Sequence, residues 1–357
     1  MTGMAAHTHD HIDWAERIPA LRRADELHAA THAGIAAGLV DRVGPQPVIV
    51  DVGSGAGGMS AAFAVELAHR GGGTLVLVDA VPELLEVAEA TASAAIERAN
   101  AKHPGRVDLE SPAAGTQREP SAAQQQVELE QAQAELAGSA VAATVGRAHP
   151  GPEAVSNAAF AGHVSIESIR ADVASVDLAQ LLQPADLVWA ASMVHHLPDQ
   201  QAGIAGLVTA LKPGGTLALA EGSPPTYCLP WDLGIGEPGL ERRLLAARDH
   251  SFGEMRAGMP GSVRMPYGWY TALRKAGLEQ VGSFSRLVDL PAPPSEVVRN
   301  YVIEHIAWLA SDADELVTQE DRDVLRRLLD PADPEYLGNR EDIYVLGTQT
   351  VHFGSRR

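Results

Sequence analysis

The chain is predicted to fold as an α/β domain around an open, largely parallel sheet, and three observations point there. Short apolar, β-branched runs alternate with amphipathic helical stretches between residues 48 and 222. A glycine-rich turn, in VIVDVGSGAGGMS at 48–60, joins the first run to the first of these helices, and an aspartate closes the second run, TLVLVDA at 74–80. Runs too short to be helices, separated by helical spacing, are the pattern of βαβ units.

Residues 13–43 read as helical, with Pro19 marking a break or a new helix start. His7, His9 and His11 precede them in an alternating polar tail, expected to be solvated and frayed. A buried strand is expected at 48–52, a helix at 57–70, a strand at 74–80 and a helix at 82–100, whose Pro82 suits a first turn. Residues 104–162 are rich in Ala, Gln, Glu, Gly and Pro and offer little to bury. They read as a disordered surface insertion with a transient helix at 121–138. Regular structure is expected again in a strand within 164–177, a strand and loop at 185–199, a helix at 200–211, and a turn and strand at 212–222. Residues 223–262 form an excursion with a helical centre, 266–290 supply a helix and a sixth strand, helices follow at 295–311 and 318–329, and 343–353 is a seventh strand. Three parts result: a tail with cap helices (1–47), a ligand-binding core (48–222, interrupted by 104–162), and lid segments with the last two strands (223–357).

Composition narrows the function. A formal charge of −19 argues against polyanionic partners, because nucleic-acid binding depends on Lys and Arg neutralising phosphates. Cys228 is the single cysteine, so no intrachain disulfide forms and a reducing cytoplasm is expected. No run approaches roughly eighteen consecutive apolar residues, and the N-terminus lacks the basic and apolar regions of a signal peptide. A small-molecule partner is expected, with neither nucleic acid nor membrane.

The glycine loop alone leaves its ligand open. Gly53, Gly55 and Gly58 satisfy the dinucleotide pattern G-x-G-x-x-G, while Gly53, Gly55 and Gly57 satisfy G-x-G-x-G. Both patterns need glycine for a sharp strand-to-helix turn that approaches a ligand closely. Asp79, 22 positions after Gly57, suits a carboxylate accepting from ribose hydroxyls, which fits either an NAD-type or another adenosine ligand. A nucleoside-triphosphate loop is excluded, since no Gly-Lys-Ser/Thr follows the turn.

Four further stretches choose. Asp51 precedes the glycines in D-x-G-x-G-x-G, RADVAS places Asp172 after the third strand, and DLVWAASMVHHLPD is followed by LKPGGTLAL. In this order they resemble the class I S-adenosylmethionine-dependent methyltransferases, and DLVWAASMVHHLPD resembles the ubiquinone/menaquinone methyltransferase-like branch. The resemblance covers 48–103 and 163–222 firmly and 266–353 loosely. It implies a seven-stranded sheet of order 3-2-1-4-5-7-6 with helices on both faces, and S-adenosylmethionine as cofactor. It also implies cofactor contacts from Asp51, Gly53, Ser54, Gly55 and Gly57 to the methionine part, Asp79 and Ala80 to the ribose, Asp172 and Val173 to the adenine, and Ala190 and Ser192 at the end of the fourth strand. No resident metal is implied. The chain departs from the family in the 104–162 insertion and in the two helices and DPADPEYLGNRED that separate the sixth and seventh strands, expected here to build a substrate lid.

Methyl transfer is an in-line displacement at a carbon activated by the sulfonium, so the protein must align the acceptor, exclude water and, for some acceptors, remove a proton. His195 and His196 follow the fourth strand and are the candidate bases; the His-His-Leu-Pro stretch also reads as a structural turn. Glu221, closing the fifth strand, is expected to bind a polar acceptor or to pair with a lid arginine. Tyr227, Trp231, Tyr267, Trp269 and Tyr270 concentrate in the lid segments and suggest a pocket for a planar or apolar substrate. Cys228 as a nucleophile has no chemistry to do. The expected activity is methylation of O, N or C of a small metabolite. The alternatives are an NAD(P)-dependent oxidoreductase and a non-catalytic, methyltransferase-like scaffold acting through the insertion.

Overall fold

The structure is a computed structural model that describes residues 13–102, 163–313 and 316–357. The chain divides into two units, Met1–His103 with Phe160–Arg357, and Pro104–Ala159. Every described residue belongs to the first; the histidine tail and the 104–162 insertion lie outside the described residues.

Seven strands form one sheet: β1 (Val48–Val52), β2 (Gly73–Asp79), β3 (Val164–Arg170), β4 (Ala185–Ala191), β5 (Leu211–Ala220), β6 (Glu279–Leu290) and β7 (Val345–Ser355). Their order is β3-β2-β1-β4-β5-β7-β6. The first five are parallel, with Val50 beside Val76 on one flank and Val188 on the other. β7 is inserted antiparallel between β5 and β6. A dinucleotide-binding sheet continues 3-2-1-4-5-6, so this reversed strand already separates the two readings of the glycine loop.

The strands are apolar on both faces because helices cover both. Ile49, Leu75, Leu77, Leu187 and Trp189 face one layer, packing against α1 (Trp14–Val40), α2 (Gly58–His69) and α3 (Pro82–Lys102). Val50, Val52, Val76, Val78 and Val188 face the other, against α4 (Leu178–Leu181), α5 (Gln200–Thr209) and α7 (Trp269–Lys275). Phe63 meets Trp189 edge-on with ring centroids 6.0 Å apart. Burying each such side chain contributes about 1.5–3 kcal/mol.

One expectation fails in this layer. Pro19 does not break the N-terminal helix: α1 runs from Trp14 to Val40 with the proline inside it. Packing of α1 along α2 outweighs the one backbone donor that proline removes.

The remaining helices stand at the carboxyl end of the sheet. α6 (Leu240–Gly258) follows β5, while α8 (Glu296–Ala313) and α9 (Gln319–Leu329) occupy the connection between β6 and β7. Leu290 and Val345 are register partners, so that connection is an enlarged hairpin tip. These helices share a core of their own, including Leu244, Val302, Ile306, Leu309 and Leu328. Asp321 of α9, 2% exposed, accepts from the Arg243 guanidinium of α6 at 2.7 and 3.0 Å. No helix among the described residues is long and apolar enough to cross a membrane.

Close packing fixes the entry to α2. Gly57 has φ 88°, and a Cβ there would lie 2.6 Å from the Cα of Ala88 in α3. Gly57→Ala is therefore expected to lose about 2–4 kcal/mol, from left-handed strain and the forced separation of α2 and α3. Urea denaturation measures it; a loss below about 0.5 kcal/mol would refute the contact.

Candidate active site

The glycine turn is folded onto the end of β2. The N–H groups of Gly53 and Ser54 both donate to Val78 O, at 2.7 and 3.2 Å. Gly55 N donates to Asp79 Oδ2 at 3.1 Å, and Val81 N to Asp79 Oδ1 at 3.0 Å, so the half-buried carboxylate is held at the rim of the turn. Gly55, at φ 55°, leaves a concavity. Beyond the adjoining residues, a Cβ there would come no nearer than 4.0 Å to a heavy atom, that one being Gly53 O of the same turn. The buried Ser54 Oγ beside it has no hydrogen-bond partner among the described groups.

Two more acids crowd the turn. Asp51, 2% exposed, lies in β1 and accepts from Ser60 Oγ at 2.5 Å. Burial pushes its carboxyl up to about 7; the Ser60 bond works against that rise, and the charges of Asp79 and Asp25 add to it. Asp25, from α1, accepts from Gly58 N at 3.0 Å and is pushed up to about 6 by burial. No local pattern in α1 marked Asp25, because only the tertiary packing of α1 on α2 brings it to the turn.

Asp25 also settles the overlapping glycine patterns. The third glycine of each is explained by packing: Gly57 by α3, and Gly58 by Asp25, whose carboxyl carbon a Cβ would approach to 2.3 Å. A dinucleotide site directs the α2 N-terminus at a pyrophosphate. Here the Asp25 carboxylate takes that position, and Asp51 and Asp79 add negative charge. The turn is built for a ligand part that brings a cation and no phosphate, which the ammonium and sulfonium of S-adenosylmethionine satisfy. An NAD(P) ligand does not fit, and that alternative is set aside.

The other residues assigned to the cofactor lie along the same sheet edge. Asp79 is registered with Arg170, and Arg170 Nε donates to Ala80 O at 3.3 Å. Asp172, just past β3, accepts from Ala174 N at 3.0 Å in a tight turn; Val173 is half-buried against the core. Ala190 is fully buried beside Val52. Ser192 is exposed, in the left-handed region at φ 51°, and donates its N–H to Ala220 O at 3.1 Å. Met193 then leans on the turn: a Cβ on Gly53 would lie 3.4 Å from its Cβ.

Glu221 and His195 form a pair. Glu221, 2% exposed, accepts from Met193 N (3.0 Å) and Val194 N (2.8 Å) through Oε1 and contacts His195 Nδ1 through Oε2 at 2.6 Å. The expectation that Glu221 pairs with a lid arginine or takes the acceptor itself is corrected. Its oxygens point back into the turn after β4, and its burial removes it from direct contact with a substrate. The His196 ring lies tilted at 45° beside that of His195 with centroids 4.1 Å apart, and Phe252 of α6 stands edge-on to both. Arg256 of α6 donates to the carbonyls of His195, Leu197 and Pro198. The lid arginine thus holds the histidine turn by its backbone. Sequence spacing gave no sign of either α6 residue.

The five aromatic residues do not share one pocket. Trp269 packs over Gly222, where a Cβ would lie 2.7 Å from the indole nitrogen, and Tyr267 donates to Gln201 Oε1 at 3.0 Å. Tyr270 is 48% exposed. Tyr227 and Trp231 instead line a recess of about 230 Å³ with Leu229, Arg242 and Tyr344. The cause is the β-bridge from Tyr227 to Leu346, which carries residues 227–231 toward the lid core. Cys228 is buried there, with its thiol pushed well above its ordinary value by burial, unsuited to nucleophilic work.

Residues 124–219 match the family described as a methyltransferase domain. That stretch takes in β3, β4, the histidine turn and most of β5, and excludes the glycine turn. No curated protein matches the chain. Among solved structures it is similar to an S-adenosylmethionine-dependent methyltransferase of Thiobacillus denitrificans in complex with S-adenosyl-L-homocysteine (14% identity, 90% of this chain, 89% of that one, TM-score 0.37). It is also similar to the YcgJ protein of Bacillus subtilis (14%, 92% and 99%, TM-score 0.38). A third is the phosphoethanolamine N-methyltransferase 2 of Haemonchus contortus in complex with S-adenosyl-L-methionine (14%, 90% and 52%, TM-score 0.36). The matched stretch and the sheet, with β7 reversed between β5 and β6, agree with the class I S-adenosylmethionine-dependent methyltransferase fold.

Because Glu221 closes three donors inside the protein, Glu221→Leu is expected to cost about 3 kcal/mol or more, leaving two N–H groups and an imidazole unpaired. Thermal unfolding reads it out. A stability unchanged within about 0.5 kcal/mol would mean the three bonds do not form.

Proposed function

We propose that this methyltransferase acts on the oxygen or nitrogen of a small molecule, with His195 as the base. The observation that carries the reading is the His195–Glu221 pair, set beside an acid-lined glycine turn that suits a cationic methyl donor. When bound, S-adenosylmethionine supplies a methyl carbon already activated by its sulfonium. Asp79 would hold the ribose, Asp172 the adenine edge, and the Gly53–Gly57 turn the methionine part. Asp51 acts from beneath the turn through its field, since its burial leaves it little surface to touch a ligand.

The buried carboxylate orients the imidazole. With Nδ1–H donated to Glu221, Nε2 is the nitrogen left to accept, on a side chain that is 26% exposed. An acceptor O–H or N–H placed there gives its proton to Nε2 as the new bond to the methyl carbon forms. Glu221 steadies the resulting imidazolium and is a positioning residue. Arg256 and Phe252 keep the turn from relaxing. A net charge of −19 and the helical lid beside the site support a small acceptor over a polyanion.

Calorimetric titration with S-adenosylmethionine, S-adenosylhomocysteine and NADH is the direct test, with binding expected for the first two alone. Asp79→Ala should weaken S-adenosylhomocysteine binding by about 1–3 kcal/mol, the worth of its lost ribose bonds; unchanged affinity in a folded variant would refute that role. For acceptors found by screening phenols, carboxylates and amines for S-adenosylhomocysteine release, His195→Gln should lower kcat by about 10²–10⁴ with cofactor affinity intact. A kcat within twofold of the unmodified enzyme would remove His195 as the base.

Asp51 and Asp25 give the donor site a pH signature. Their carboxyls are raised to about 7 and about 6 in the free protein, and a cationic ligand favours the ionised forms. Affinity for S-adenosylmethionine should therefore rise with pH through 6 to 7 and level off above it. Asp51→Asn should flatten the upper part of that rise; an identical profile in the variant would show that Asp51 is not the titrating group.

A further inference from the structure

The lid core contains a cluster for which methyl transfer has no use. Cys228 follows β5, Glu241 lies in the first turn of α6, and His305 sits in the middle of α8. The Cys228 Sγ, a carboxylate oxygen of Glu241 and a ring nitrogen of His305 all lie within 4.8 Å of one another. Cys228 is fully buried and Glu241 is 5% exposed, among Leu229, Leu240, Leu244, Val302 and Ile306. Buried cysteine by itself is commonplace, since a thiol packs as a small hydrophobe. Glu241 has a local reason too, accepting from Cys228 N at 2.7 Å and Leu229 N at 3.1 Å. Neither accounts for His305, whose Nε2 is buried with no hydrogen-bond partner among the described groups. An imidazole nitrogen left so in an apolar core costs free energy that nothing else in the structure recovers.

We propose that Cys228 Sγ, Glu241 and His305 Nε2 form a binding site for a divalent transition metal, with Zn²⁺ the best chemical fit. Sulfur and imidazole disfavour Mg²⁺ and Ca²⁺, which take oxygen ligands, and one thiolate, one imidazole and one carboxylate suit a borderline-soft ion. Ligand atoms around tetrahedral Zn²⁺ lie roughly 3.2–3.8 Å apart, so side-chain adjustments of about 1 Å complete the set. The neighbours already restrict those side chains. Two backbone N–H groups hold the carboxylate, leaving lone pairs on each oxygen, and the imidazole lies between Tyr301 (centroids 5.7 Å apart, 6° between planes) and Trp308 (5.7 Å). Such support around the ligands is a feature of built metal sites. Three protein ligands leave a fourth position for water or another donor. The metal would tie the chain after β5 to α6 and α8, three separate lid segments.

Cobalt(II) titration of the full chain, stripped with a chelator, tests this with an unambiguous reporter. Cys228 is the only thiol, so a thiolate-to-cobalt charge-transfer band can arise nowhere else, whatever His7, His9 and His11 bind. One equivalent of cobalt should develop the band and zinc should displace it. Cys228→Ser should abolish it, and His305→Gln should weaken cobalt binding at least tenfold while S-adenosylhomocysteine binding confirms the fold. Absence of the band in the unaltered protein overturns the proposal, even if a variant does not fold. So does a band of unchanged affinity in His305→Gln.

Discussion

The site depends on how tightly the first turn of α2 is wedged. On one side α3 touches Gly57; on the other the Asp25 carboxylate of α1 accepts from Gly58. Neither position has room for a Cβ, so helix, turn and β1 are held as one rigid corner. The same wedge decides the electrostatics. A helix N-terminus ordinarily invites an anion from solution. Here the protein supplies its own, and with Asp51 and Asp79 it converts a phosphate-type turn into one that favours positive charge. Ligand choice thus follows from packing as much as from the residues lining the turn.

Much of this was legible in the sequence. The strand expected at 74–80 is there, and its leucines and valines divide between the two core layers. The glycines, Asp79 and Asp172 sit at strand ends because open α/β sheets place ligands there. What stayed hidden was long-range. Asp25 is one acid among several on a helical stretch, and only the docking of α1 reveals it. Phe252 and Arg256 were likewise invisible, because their partners lie more than fifty residues away. The aromatic count misled: Tyr267 and Trp269 pack against the sheet core, while strand pairing at Leu346 directs Tyr227 and Trp231 elsewhere. Pro19 misled in the opposite sense, since its local penalty yielded to helix packing.

The histidine turn draws its geometry from two sources. Glu221 fixes it from inside the sheet, through two backbone N–H groups and the His195 ring; Arg256 fixes it from outside, through three carbonyls. A single turn satisfied from both directions keeps little conformational freedom. The imidazole is thereby set by the protein's own groups, and the proton transfer proposed for it would need little reorganisation.

The enlarged hairpin between β6 and β7 carries an evolutionary consequence. Its two ends, Leu290 and Val345, are adjacent across the sheet. Whatever lies between them is a graft on a closed junction: residues can be added, lost or exchanged there while both strands keep their partners. New material inserted at that junction leaves the corner around the glycine turn as it is. A lineage of such chains could diversify in substrate while inheriting one unaltered scaffold.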